Sequence, residues 1–176
     1  MNNNWDTDKF DPAHLAHQVI VIHLCGYINQ KNEGDEEGNP PTNHWAAFLE
    51  RPDAGSVGLD MMPGYGSDGL RGRIEISSND CVTTSSAIKI LSIPVNIHAT
   101  VQTITNMISD KGRDRYTFTE EEEGCRYWIW NIVSDLEAAK SYRRAVQKLS
   151  GKRCPAIGAI RAALSRELSS RGSSIN

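Results

Sequence analysis

The chain has 176 residues, a formal net charge of −3, and hydrophobic and charged fractions of 39% and 23%. That length suits one domain with one substantial core. The weak overall acidity argues against a whole surface built to wrap nucleic acid. No apolar run approaches the roughly 18–20 residues that a membrane span needs.

The opening stretch, MNNNWDTDKFDP, is polar and acidic, unlike a signal peptide. The four cysteines, at 25, 81, 125 and 154, form no CxxC pair. Free thiols in a reducing, cytoplasmic compartment are the expectation.

In chain order, the first dozen residues read as a mobile arm. HQVIVIHLCGY (17–27) is β-branched and apolar on both faces, which predicts a buried strand. Residues 29–43 are rich in Gly, Pro, Asn and acid and predict a long exposed loop. HWAAFLE (44–50) and VGLDM (57–61), separated by RPDAGS, predict a hairpin. A Gly-rich loop is expected over 62–72. RIEIS (73–77) alternates like a half-buried strand, and SSAIKILSI (85–93) predicts another, stopped by Pro94.

Helical spacing follows. Val101, Ile104, Met107 and Ile108 share one face, with Thr100 or His98 near the start. Cys125, Trp128, Ile129, Ile132, Val133 and Leu136 recur at intervals of three and four. That second helix is expected to run on toward EAAKSYRRAVQKL, and a last one to begin near Pro155.

Strands first and helices after predict one α+β domain over 13–170. Its largely antiparallel sheet has about five strands, packed by two to three helices, with flexible ends at 1–12 and 171–176. Acid at 33–37 and 120–123, and base from Lys140 to Arg171, read mainly as helix-end complementation and solvated faces.

Candidate chemistry centres on three residues. Cys125 opens a helix, where the dipole and free N–H groups favour a thiolate. Glu120–Glu123 beside it oppose a thiolate, and its place on the apolar stripe suits an inert wall residue. His44 sits where a Pro/Asn-rich loop meets a strand, a position suited to a general acid or base. Asp60 would lie near His44 if 44–49 and 57–61 pair, and could orient its ring. Trp45, Tyr65 and Trp128 are candidates to line a substrate pocket, with Arg73 and Arg126 to hold an anionic or phenolic group. His14, His17, His23 and Cys25 complete no recognised zinc spacing, so neither metal nor cofactor is expected. Phosphate-loop, dinucleotide and serine-hydrolase motifs are absent from the sequence.

NHWAAFL, VGLDMMPG, RIEIS and DRYTFTEEEEGCRYWIWNIVSDLE together resemble an uncharacterised family of small fungal proteins, over about residues 17–140. That resemblance implies a setting among secondary-metabolite enzymes, where some small proteins are cyclases or isomerases. A second resemblance lies at the level of fold. A strand histidine followed much later by a helix-opening cysteine is similar to permuted papain-like proteins, including the lecithin:retinol acyltransferase-like group. It implies a dyad of His44 and Cys125.

The leading expectation is a cofactor-free cyclase or isomerase of a small aromatic or polyketide-like metabolite, with His44 moving the proton. The alternatives are a Cys125–His44 hydrolase or acyltransferase, and a non-enzymatic binding domain. A small-molecule substrate is expected, with neither nucleic acid nor membrane as a partner.

Overall fold

The computed structural model describes residues 1–28, 43–95, 99–119 and 124–139. The loop expected over 29–43 (except Asn43, which opens a strand), the acid run at 120–123, His98, and the basic stretch and last helix expected after 139 lie outside the described residues. A six-stranded mixed sheet carries the domain: β1 (Trp5–Lys9), β2 (Val21–Ile28), β3 (Asn43–Glu50), β4 (Ser56–Tyr65), β5 (Arg71–Asn79) and β6 (Lys89–Pro94). Their spatial order is β1-β5-β4-β3-β2-β6. The β1–β5 pair is parallel and the others are antiparallel. Two helices follow, α1 (Val101–Asp110) and α2 (Cys125–Ala138). The α+β class is as expected.

Alternation decides the two faces of the sheet. Ile22 and Leu24, then Trp45, Ala47 and Leu49, Val57, Leu59 and Met61, and Ile74 and Ile76 all join one buried cluster. Val101, Ile104 and Ile108 of α1 and Trp128, Ile129, Ile132, Val133 and Leu136 of α2 complete it. The helical stripes therefore meet the apolar face of the sheet. Thr100 starts α1 with a reciprocal cap: its hydroxyl accepts from the Thr103 N–H, and the Thr103 hydroxyl accepts from the Thr100 N–H. The residues between, including His23, Cys25, Tyr27, His44, Ala46, Phe48, Gly58, Asp60, Glu75 and Ser77, fall on the opposite face by the same register.

Two expectations need correction. The first dozen residues do not form an arm. Trp5 and Phe10 are 3% and 9% exposed, and Trp5–Lys9 forms β1 beside β5, which is also why the sheet has six strands. Two isolated aromatics in a polar stretch give no periodic signal, yet their burial is enough to seat the strand. The expected Gly-rich loop over 62–72 is also too long. β4 runs on to Tyr65 with a register shift after Met62, and the turn is confined to 66–70.

Candidate active site

The site forms where β2 ends and β3 begins. Tyr27 and His44 are paired across β2 and β3, and Ala46 is paired with Asp60 across β3 and β4. On one sheet face, Asp60 therefore stands diagonally across from His44 and Tyr27. His44 Nε2 lies 2.7 Å from Asp60 Oδ1, and the Tyr27 hydroxyl donates to Asp60 Oδ2 at 3.0 Å. The Tyr27 ring meets the imidazole edge-on, with centroids 4.9 Å apart. Asp60 is thus held at both oxygens, and His44 is held by a hydrogen bond and a ring contact.

Cys125, the first residue of α2, completes the group with a side-chain hydrogen bond to His44. The thiol is partly exposed, and the side chains of His44 and Asp60 are 14% and 25% exposed. The imidazole thus has the carboxylate and the thiol as neighbours, and solvent reaches all three.

The electrostatics are those of a charged relay. Burial by itself lowers the pKa of His44. Hydrogen bonding to Asp60 and Cys125, with the electrostatic pull of their side chains, more than offsets it and raises the pKa to about 10. The ring is then an imidazolium at neutral pH. Burial first, and then the Asp60 carboxylate, push Tyr27 far above the ordinary tyrosine range, so its hydroxyl stays a donor.

Three contacts hold the α2 end in place. The Trp128 indole N–H donates to the Arg113 carbonyl at 2.8 Å, and the Tyr116 hydroxyl donates to the Gly124 carbonyl at 3.1 Å. Arg113 grips Asp135 further along the helix at 2.7 and 3.2 Å. Gly124 adopts φ +153°, and a Cβ there would meet the Tyr116 ring and hydroxyl at 2.6 Å. A glycine before the cysteine is therefore demanded by the close approach of Tyr116 as well as by the backbone.

The remaining sequence candidates separate clearly. Trp45 and Trp128 are 0% and 1% exposed and belong to the core, so they offer no face to a substrate. Arg73 stacks on Tyr65 at 5.1 Å, donates to the Trp5 carbonyl and lies 3.6 Å from Asp6. This pair fastens β1 and lines a cleft of about 200 Å³ with Asn3, Asn4 and Arg71, a cleft that His44 and Cys125 do not line. Arg126 is next to Cys125 in the first turn of α2 and is partly exposed. Tyr27 is the residue that sequence reasoning missed. The pairing of β2 with β3 would have found it, because it directly opposes His44.

A second histidine relay lies on the same face. His23 contacts Ser92 through Nδ1 at 2.9 Å and Glu50 through Nε2 at 2.8 Å. It ties β6, β2 and β3 together side by side. His14 bonds Ser78 and its ring lies 4.9 Å from that of His17. Cys25 is fully buried, and burial pushes its thiol up to about 11, which suits an inert core group. Among the described residues, no group of three His, Cys, Asp or Glu side chains gathers as a metal site would. Nor is any described helix long and apolar enough to cross a membrane.

The family model for a domain of unknown function, DUF7770, matches residues 22–152. The chain belongs to that family. The DUF7770 match takes in Tyr27, His44, Asp60 and Cys125, and it begins after β1. No curated protein and no solved structure matches the chain.

Proposed function

We propose that this DUF7770 protein is a cysteine-dependent hydrolase or acyltransferase, with Cys125 as nucleophile, His44 as its acid–base partner and Asp60 as the group that orients His44. The observation that carries the reading is the position of His44 between a helix-opening thiol and a carboxylate. A nucleophile and base in hydrogen-bond contact, with the base oriented by a third group, is the general pattern of an activated nucleophile.

Each group has a role set by its surroundings. An imidazolium against the sulfur favours the thiolate, the attacking form. The thiolate adds to an acyl carbonyl, and the uncapped first-turn N–H groups of α2 are the donors this reading assigns to the oxygen that gains charge. His44 then gives its proton to the leaving amine or alkoxide, and a thioester to Cys125 remains. Water, or a second amine or alcohol, attacks the thioester and loses its proton to His44, which restores the thiol pair. Asp60 supports the charge on His44 throughout, and Tyr27 fixes Asp60.

Two further points support this reading. The order of a strand histidine and a later helix cysteine resembles that of permuted papain-like proteins. A working thiolate also suits a reducing compartment such as the cytoplasm. In the cyclase reading His44 moves a proton by general acid–base chemistry, and Cys125 beside it has no part to play.

Labelling with iodoacetamide at pH 7, read by peptide mass, tests the proposal. Cys81 is exposed and serves as an internal control. Cys125 should alkylate at least about tenfold faster than Cys81, and His44→Ala should remove the excess. A Cys125 that reacts no faster than Cys81 in the folded protein would end this reading.

A further inference from the structure

The connection from β5 to β6 crosses the polar face of the sheet. β5 ends at Asn79 and β6 begins at Lys89, with β4, β3 and β2 lying between them. Two fully buried side chains of that face hold the crossing. The Ser56 hydroxyl donates to the Cys81 carbonyl at 2.7 Å, and the Thr84 backbone is hydrogen-bonded to Cys25. Between this connection and the strands a cavity of about 510 Å³ remains, lined by Cys81 and 83–85 on one side and by β3, β4 and β5 on the other. Its volume lies within the range of small-molecule sites.

Strand register sets the cavity against the site. Cys25, Ala46, Asp60 and Glu75 form one row across the sheet, and His23, Phe48, Gly58 and Ser77 form the next. The cavity takes in the β3, β4 and β5 members of both rows. His44 precedes Ala46 on the same strand, and its imidazole leans into the first row, with Nε2 2.7 Å from Asp60. The Gly58 row lies two residues further on, about 7 Å along the strands. A substrate group that leaves the His44–Cys125 pair along the sheet therefore passes over Ala46 toward Gly58.

The space over those rows suits a flat, uncharged group. Ala46 and Gly58 raise little or no side chain into it. A Cβ added at Gly58 would lie 3.7 Å from the Phe48 ring and 2.7 Å from the Ser77 hydroxyl, so an aromatic ring and a hydroxyl flank this glycine. Neither carboxylate is spare, because Asp60 is engaged by His44 and Tyr27 and Glu75 by Lys9 at 3.0 Å. The other lining side chains among the described residues are uncharged. A neutral ring fills such a space without bringing in an unpaired charge, and it gains an aromatic neighbour. Ser77 accepts from the Asn79 amide at 3.3 Å and keeps its own proton for a ring substituent.

We propose that this cavity holds an uncharged aryl ring of the acyl group, joined by a two-carbon link to the carbonyl that Cys125 attacks. The proposal rests on the reading of Cys125 as the nucleophile, and it adds the substrate class. With bonds of about 1.5 Å, such a ring begins about 4 Å from the carbonyl carbon and ends about 7 Å from it. That reach covers the step from the Ala46 row to the Gly58 row. A ring attached directly to the carbonyl stops short of Gly58.

NMR titration of a Cys125→Ala variant provides the test, with N-methyl-3-(4-hydroxyphenyl)propanamide and its ringless analogue N-methylpropanamide as probes. The ring probe should bind about tenfold more tightly. Its backbone amide shifts should gather at Ala46, Gly58 and Ser77. Ser77→Leu fills the cavity and should remove most of the advantage. Equal affinities, shifts that gather elsewhere, or an advantage that survives Ser77→Leu overturns the proposal. If Ser77→Leu does not fold, Phe48→Ala decides, since it removes the aromatic wall, and an unchanged affinity for the ring probe overturns it. The titration needs no thiol, so its failure leaves the labelling result intact, and the reverse also holds.

Discussion

Tyr27 donates its hydroxyl proton to the Asp60 oxygen that His44 leaves open, at 3.0 Å. The carboxylate is thereby fixed from β2 as well as from β3, and its orientation does not depend on the histidine alone. A hydrogen bond to a charged acceptor contributes about 1.5–3 kcal/mol. Tyr27→Phe keeps the ring against His44 and removes only this bond. We expect a loss of about 1–2 kcal/mol in urea unfolding. Alkylation of Cys125 should slow several-fold, and the pH at which His44 titrates should move. Wild-type stability in the Tyr27→Phe variant, with an unmoved His44 titration, would mean that Tyr27 is only a packing residue.

The charge on His44 has a testable sign. Its folded pKa, about 10, is raised above the ordinary value of 6.5. The stabilisation linked to it is therefore fully present below about pH 6.5 and is lost as pH rises through about 10. In two-dimensional NMR the His44 ring should stay in its imidazolium form at pH 7.5. Asp60→Asn removes the carboxylate charge and leaves burial opposed mainly by Cys125, so the titration should move to lower pH. Cys125→Ala should move it in the same direction. A His44 that titrates near 6.5 in the wild-type chain would contradict the charged relay.

Much of this was legible in the residues, for reasons that differ by element. The hairpin of β3 and β4 follows from alternation and a short turn, and so the nearness of His44 to Asp60 could be expected from spacing alone. The apolar stripe of α2 was equally plain. The two signals disagreed at Cys125, because a residue can lie on the line of the apolar stripe and still stand at the helix mouth. The stripe shows which way a helix faces, but whether its first residue meets the core or the sheet end depends on tertiary packing. Trp45 misled for a related reason. It sits next to His44 in sequence, but adjacent residues on a strand point to opposite faces. Tyr27 was hidden because β2 and β3 are far apart in sequence, with no short turn to announce their pairing.

Gly124 is a hinge between the clamp and the nucleophile. A side chain there meets both an unfavourable φ of +153° and Tyr116 at 2.6 Å. Gly124→Ala should cost about 1–3 kcal/mol from overpacking and strain. It should also reduce Cys125 labelling, because the first turn of α2 must shift. In a Tyr116→Ala background the added cost of the alanine should shrink, since the steric partner is gone. Thermal unfolding of the four chains in that cycle measures the coupling. Strictly additive costs would mean that the Tyr116 contact does not constrain the turn.

The strand β1 lies before the family match, yet it seats Trp5 in the core. Trp5 and Phe10 are buried, and Trp5 and Asp6 pair in parallel with Ile74 and Glu75 of β5. Removal of residues 1–10 would expose the edge of β5 and the apolar surface beneath both aromatics. Full burial of such a side chain is worth about 1.5–3 kcal/mol, so the two together suggest a loss of about 3–6 kcal/mol. The truncated chain should melt at a clearly lower temperature and associate through its bare edge strand. Trp5→Ala alone should cost about 3–5 kcal/mol. His44 and Cys125 lie several strands away, so labelling of Cys125 in the folded fraction should persist. A truncated chain that unfolds like the full one would mean that β1 is docked without contributing to the fold.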